Sequence, residues 1–110
     1  MTSENVRPIK DAEFEQLVAN TPKVVLIDFM APWCAPCRQM APIIDEIATE
    51  FSEELMVRCM DVDQDPETAK RLGIRGLPTF LILKDGVEVA REIGMLTKTK
   101  LAALLESHFA

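Results

Sequence analysis

From Val24 to Met30 the chain is apolar at every position but Asp28, and much of the run is β-branched. That pattern predicts a central strand buried on both faces. Phe14, Leu17 and Val18 fall on one face of a helix over 12–20, capped by Asp11 and broken at Thr21-Pro22. The stretch 36–51 reads as the longest helix, with Met40, Ile43, Ile44 and Ile47 as its apolar stripe and Pro42 predicting a kink. Residues 55–62 read as a strand, Asp63-Gln64-Asp65-Pro66 as a turn, and 67–72 as a short helix stopped at Gly73. Strands over 79–83 and 87–92 are joined by Lys84-Asp85-Gly86, a hairpin signal. Thr97 caps a last helix with Leu101, Leu104, Leu105 and Phe109 inward. The front half demands parallel crossovers and the end an antiparallel pair. An α/β fold with a mixed sheet covered by helices follows.

The 110 residues suit one domain, 1–110, with one core. A net charge of −6 argues against nucleic acid and anionic membrane surfaces as partners. No apolar run approaches the roughly 20 residues of a membrane helix. Residues 1–8 lack a basic start followed by an apolar core, so no secretory leader is expected. Three cysteines are too few, and odd in number, for a secreted disulfide scaffold, which points to a reducing compartment.

Two of those cysteines stand in Trp33-Cys34-Ala35-Pro36-Cys37. Positions three apart share a helix face, so the sulfurs can meet and form a disulfide. A loop that short restricts the unfolded chain little, which suits cycling better than stapling. Cys34 falls at the start of the long helix, where unpaired N–H groups favour a thiolate. Pro36 fits the first turn, where its missing N–H has no partner to lose. Cys37 lies further in and is expected to be less exposed. The division of labour is that Cys34 attacks a disulfide and Cys37 then releases the reduced partner. The alternatives are two buried structural cysteines or a zinc site. Zinc usually wants four ligands, and Cys59 and His108 lack the spacing to complete a set.

The stretch 25–37 resembles the active-site strand and loop of the thioredoxin family. The likeness continues through Ala41-Pro42-Ile43-Ile44-Asp45-Glu46-Ile47, Asp63-Gln64-Asp65-Pro66, Gly73-Ile74-Arg75-Gly76-Leu77-Pro78-Thr79, Lys84-Asp85-Gly86 and Gly94. It implies a thioredoxin fold, a five-stranded mixed sheet flanked by four helices. It also implies a cytoplasmic, monomeric protein disulfide reductase of the bacterial type, recycled by a thioredoxin reductase and acting on disulfide-containing client proteins. No cofactor or metal is expected.

Asp28 is costly inside an apolar strand unless it stays neutral or finds partners. One reading is a carboxylate at a sheet edge satisfied by hydrogen bonds. The other is a buried base with a raised pKa, which by resemblance sits beneath the cysteines and takes the proton from Cys37. Pro78 suits a strand start, and the resemblance adds a cis bond against the pair. Leu77 beside it offers backbone to a substrate strand. Trp33, Gly76, Leu77, Ile93, Gly94 and Met95 then form an uncharged rim, although Gly94 alone equally marks a bulge. Arg38 reads as a solvated helix charge, with a slight influence on the thiolate as the sharper reading.

Three positions depart from the family pattern. Ala35 replaces a usual glycine and Met30 an often-present tryptophan, which leaves Trp33 as the sole tryptophan. Cys59 stands where a lysine is common. Arg58 points to the other face of its strand and cannot substitute, so Asp28 is expected to titrate higher. Two rivals remain. A dithiol oxidase or isomerase belongs to an oxidising compartment. A thioredoxin-like binding or chaperone module with incidental thiols would not need Cys34, Cys37, Asp28 and Pro78 together.

Overall fold

A computed structural model describes residues 4–109. The elements run β1 (Val6–Pro8), α1 (Asp11–Asn20), β2 (Val24–Met30), α2 (Ala35–Glu50), β3 (Leu55–Asp61), α3 (Pro66–Arg71), β4 (Thr79–Lys84), β5 (Val87–Ile93) and α4 (Lys98–Glu106). The first three residues of the segment read as lacking a leader lie outside the described residues.

The five strands form one sheet in the order β1-β3-β2-β4-β5. β1 and β2 each pair parallel with β3, whereas β4 pairs antiparallel with both β2 and β5. The chain belongs at both ends of this logic: crossover helices serve the parallel half and a tight hairpin the antiparallel end. Asp85 and Gly86 form that hairpin loop with φ of 53° and 79°. Two consecutive left-handed residues match the twist of the flanking strands, which is why Asp-Gly stands there.

β2 lies at the centre of the sheet, as its apolar run predicts, and alternates between two cores. Val25, Ile27 and Phe29 pack with Phe14, Val18, Met60 and Leu81 on the α1/α3 face. Leu26 packs with Met40, Ile44, Phe80 and Leu101 on the α2/α4 face. Asp28, two residues from Leu26, therefore points beneath α2. Thr97 caps α4 through its hydroxyl, which accepts from Lys100 N–H at 3.1 Å. Leu101 and Leu105 are fully buried, and Leu104 and Phe109 pack partly against them.

Two expectations need correction. β1 was not anticipated from the residue pattern; three residues are too short to show a period. Asp11 does not cap its own helix. α1 is preceded by Lys10, whose N–H donates to Glu13 Oε1 at 2.8 Å. Asp11 instead accepts from Thr68 N–H at 2.8 Å and Glu67 N–H at 3.1 Å, capping α3. Asp65, just before α3, accepts from Asp11 N–H at 2.9 Å. The two helix starts thus cap each other, satisfying donors that each helix leaves open. Burial works against ionisation of Asp11, yet the bonds from Thr68 and Glu67 hold its carboxyl below the usual range. α2 runs through Pro42 without interruption.

Candidate active site

Helix α2 begins at Ala35, with Cys34 as its N-cap in an extended conformation. Ala35 thus occupies the first helical position, which suits a strong helix former. Cys37 N–H donates to Cys34 Sγ at 3.2 Å, so the sulfur takes the place of the usual capping oxygen. A disulfide joins Cys34 to Cys37, with their Cα atoms 5.3 Å apart. Arg38 N–H closes the first turn onto the Cys34 carbonyl at 3.2 Å. The expected difference in exposure is absent: each cysteine is 4% exposed. Ala31, Met30, Val62 and Leu77 pack with the pair. What separates the two is position, since Cys34 holds the open end of the helix and Cys37 faces inward.

Inward lies Asp28. It sits in the central strand, not at an edge, opposite Cys59 of β3 and Phe80 of β4. Among the described residues its Oδ1 has no hydrogen-bond partner. The reading of a satisfied edge carboxylate is therefore overturned. Burial pushes the Asp28 carboxyl up to about 7. A cavity of about 120 Å³ adjoins it, lined in part by Asp28, Met30, Cys37, Arg38, Asp45 and Cys59. Asp28 and Cys37 thus share one small space, which allows a proton to pass between them directly or through water.

Cys59 is buried and free. Burial first, and then the neighbouring Asp28 charge, push its thiol up to about 11. It is a neutral neighbour for Asp28 at physiological pH. Arg58 behaves as its strand position predicts: its guanidinium donates to the Val57 carbonyl at 2.8 Å, and it does not line the cavity. Arg38 is less free than a solvated charge. It donates to the Pro32 carbonyl at 2.7 Å, tying α2 to the active-site loop.

The Leu77–Pro78 peptide is cis. Pro78 O accepts from Gly94 N–H at 2.8 Å, and Gly76 O accepts from the Thr79 hydroxyl at 2.6 Å. The first bond joins the segment before β4 to the residue after β5, and the second closes that segment onto the start of β4. Trp33, Ile93 and Met95 are 67%, 61% and 52% exposed, large apolar side chains left open at this end of the sheet. A Cβ at Gly76 would lie 2.9 Å from Ile93 Cγ2, so that exposed side chain would have to shift to admit one. Gly94 follows β5 with φ of 91°, a conformation that L side chains rarely adopt. Trp33, Gly76 and Leu77 line one groove, and Ile93, the last residue of β5, reaches Gly76.

Sequence reasoning missed two features of this face. Asp63 Oδ2 accepts from Trp33 Nε1 at 2.8 Å and anchors the exposed ring. The pattern showed Asp63 only as part of a turn. A groove of about 320 Å³ also runs beside Trp33, formed with Val62, Ala69, Ile74, Gly76 and Leu77. No periodicity signals it, because its walls come from separate loops. His108, just beyond α4, donates its N–H to Leu105 O and lines neither the cavity nor the groove. Among the described residues, no group of three or more His, Cys, Asp or Glu is arranged to hold a metal ion.

Comparison with known proteins agrees with this geometry. The Thioredoxin family model matches residues 5–107. A thioredoxin from Haemophilus influenzae is 43% identical over 100 residues, spanning 91% of this chain and 94% of that protein. Thioredoxin 1 from Synechococcus elongatus is 44% identical over 100 residues, with the same shares. A thioredoxin from Pseudomonas aeruginosa is 39% identical over 106 residues, 96% of this chain and 98% of its own length.

Proposed function

Since the chain belongs to the thioredoxin family, a group of thiol–disulfide oxidoreductases that reduce protein disulfides, we propose how its own residues divide that work. In the reduced protein the Cys34 thiolate attacks a client disulfide. One client sulfur leaves as a thiolate, and a mixed disulfide joins Cys34 to the other. Cys37 gives its proton to Asp28, attacks Cys34 Sγ and expels the second client thiolate. The client is reduced by two electrons and the Cys34–Cys37 disulfide returns. A thioredoxin reductase then restores the dithiol.

The observation that carries this reading is an N-cap sulfur joined to an inward sulfur that shares a cavity with a buried carboxylate whose Oδ1 has no partner among the described residues. The helix end favours charge on Cys34, because the Cys37 N–H donates to its sulfur at the positive end of α2. Asp28, with a pKa near 7, accepts a proton and releases it again at neutral pH. Pro78, with Leu77 beside it, gives the client backbone a place to lie along the pair. Trp33, Gly76, Ile93, Gly94 and Met95 give it an uncharged surface. The breadth of that surface fits clients of varied sequence.

The net charge of −6 supports a protein that does not work on nucleic acid. The unpaired Cys59 supports work in the reducing cytoplasm. No helix among the described residues is long and apolar enough to cross a membrane. We take the working form to be a monomer of one domain, which light scattering checks.

Insulin-disulfide reduction with dithiothreitol tests the division of labour. Cys34→Ser is expected to abolish reduction, and Cys37→Ser to accumulate the mixed disulfide, visible as an adduct by mass spectrometry. Full activity in Cys34→Ser would overturn the assignment and favour a binding module.

A further inference from the structure

Asp28 must lose the proton it accepts before it can act again. The client face offers no convenient way out during the second step. While the mixed disulfide stands, a client lies over the rim, which is built at the β4–β5 end of the sheet. The cavity beside Asp28 occupies the other half. Its walls come from β1, β2 and β3 and from α2 above them.

The lining of this cavity changes with depth. Asp28, Cys37 and Cys59 are buried, Ala41 and Asp45 half-buried, and Arg38 exposed. It is therefore a passage from the carboxylate to the surface and not a sealed void. Its volume of about 120 Å³ exceeds the roughly 10–15 Å³ that one water needs. Its lining is mostly apolar, with Asp28 at the buried end and Asp45 and Arg38 toward the surface as hydrogen-bond partners for water. Ala41 stands between Arg38 and Asp45 on the face of α2 that covers the passage, four residues beyond Cys37. Its methyl leaves open a space that a longer side chain there would fill.

We propose that the proton passed from Cys37 to Asp28 leaves through this cavity past Ala41, and that the small side chain of Ala41 keeps the route open. The inference rests on Asp28 being the proton acceptor. Cys37 S–H loses its proton to the Asp28 carboxylate, and its electron pair forms the new bond to Cys34. The client thiolate departs, and the Asp28 carboxyl then yields its proton to water in the passage and so to bulk solvent. Cys37, Arg38 and Asp45 face this space from α2 and Cys59 from β3. The residue that β1 brings to it, Val6, does not titrate, nor do Met30 of β2 and Ile44 of α2. Ala41 acts by positioning water and touches no reacting atom.

Single-turnover stopped flow with a disulfide peptide tests the route. Trp33 emission follows mixed-disulfide formation, and a pH-indicator dye follows the proton released. Ala41→Leu is expected to leave the attack rate unchanged and to slow resolution and proton release together by about tenfold. Ala41→Ser, of similar size, restores the wild-type split. In an Asp28→Asn background, Ala41→Leu adds no further slowing. Should the leucine variant not fold, Ala41→Val carries the same test at smaller amplitude. Asp28→Asn slow with Ala41→Leu or Ala41→Val at wild-type speed overturns the exit route alone, as does equal slowing of attack and resolution. Resolution at wild-type speed in Asp28→Asn overturns the reading of Asp28 as acceptor, and the route with it.

Discussion

The two faces of the sheet are built from the same strands and differ in what they tolerate. Against α1 and α3, β2 presents Val25, Ile27 and Phe29 to an all-apolar core. The helices over that face cap each other through Asp11 and Asp65, so their polar ends are satisfied. Against α2 and α4, β2 presents Leu26 and then Asp28, a buried carboxylate with an unpartnered oxygen beside a cavity. One face is packed for stability. The other gives up stability at one position to keep a buried carboxylate beside Cys37, which is a common trade at working sites.

That contrast is most exposed by two substitutions of opposite sign, one residue apart in β2. Phe29 is fully buried, and Phe29→Ala is expected to destabilise the fold by about 4 kcal/mol, through lost transfer free energy and a cavity. Urea unfolding at constant slope reads it; a loss below about 1 kcal/mol would mean the α1/α3 face is not tightly packed. Asp28→Asn is expected to stabilise, and only in one pH range. Between about 4 and 7, folded Asp28 still holds a proton that the unfolded chain has released, because its pKa rises from 3.8 to about 7 on folding. Stability of the parent protein therefore falls as pH rises through that window and stays lower above it. The asparagine variant does not titrate there, so its advantage is near zero at pH 4 and reaches a few kcal/mol by pH 8. Melting curves across that range check it, and parallel curves would show that Asp28 is charged and satisfied in the fold.

A smaller effect is expected from Asp11→Ala. The caps on α3 are lost while the Asp65 bond to α1 remains, so the cost is about 1 kcal/mol. It appears at neutral pH and shrinks in acid as Asp11 is protonated, because its folded pKa is depressed. Chemical denaturation at pH 7 and pH 3 compares the two. An equal loss at both would assign the effect to packing and not to charge.

Much of this was legible in the linear pattern. The β2 run, the stripe of α2, the Asp85-Gly86 hairpin and the Thr97 cap all depend on neighbours within a few residues; β2 and the cap form where expected, and α2 and the hairpin strands with bounds shifted by one residue. The strand alternation also placed Arg58 away from Asp28 correctly. The likeness to thioredoxins supplied the cis bond at Pro78 and the five-strand count, to which the unanticipated β1 contributes. Asp11 misled because its type is right for a cap, while the helix it caps lies more than fifty residues away. The equal burial of Cys34 and Cys37 was likewise invisible, since Val62 and Leu77 reach the pair from other loops.

By itself, the sequence determined that a sulfur pair stands at a helix start after a buried strand, and that one acid lies within that strand. Periodicity and capping are local, so they survive in one dimension. Only the tertiary structure decided that Asp28 shares a cavity with Cys37, that Asp63 anchors Trp33, and that the cavity draws its walls from β1, β2, β3 and α2 while Ile93 and Met95 stand exposed at and beyond the end of β5. Those are properties of distance and solvent access between segments far apart in the chain. They exist only once the sheet order has brought β1, β3 and α2 around one side of the pair and β4 and β5 around the other.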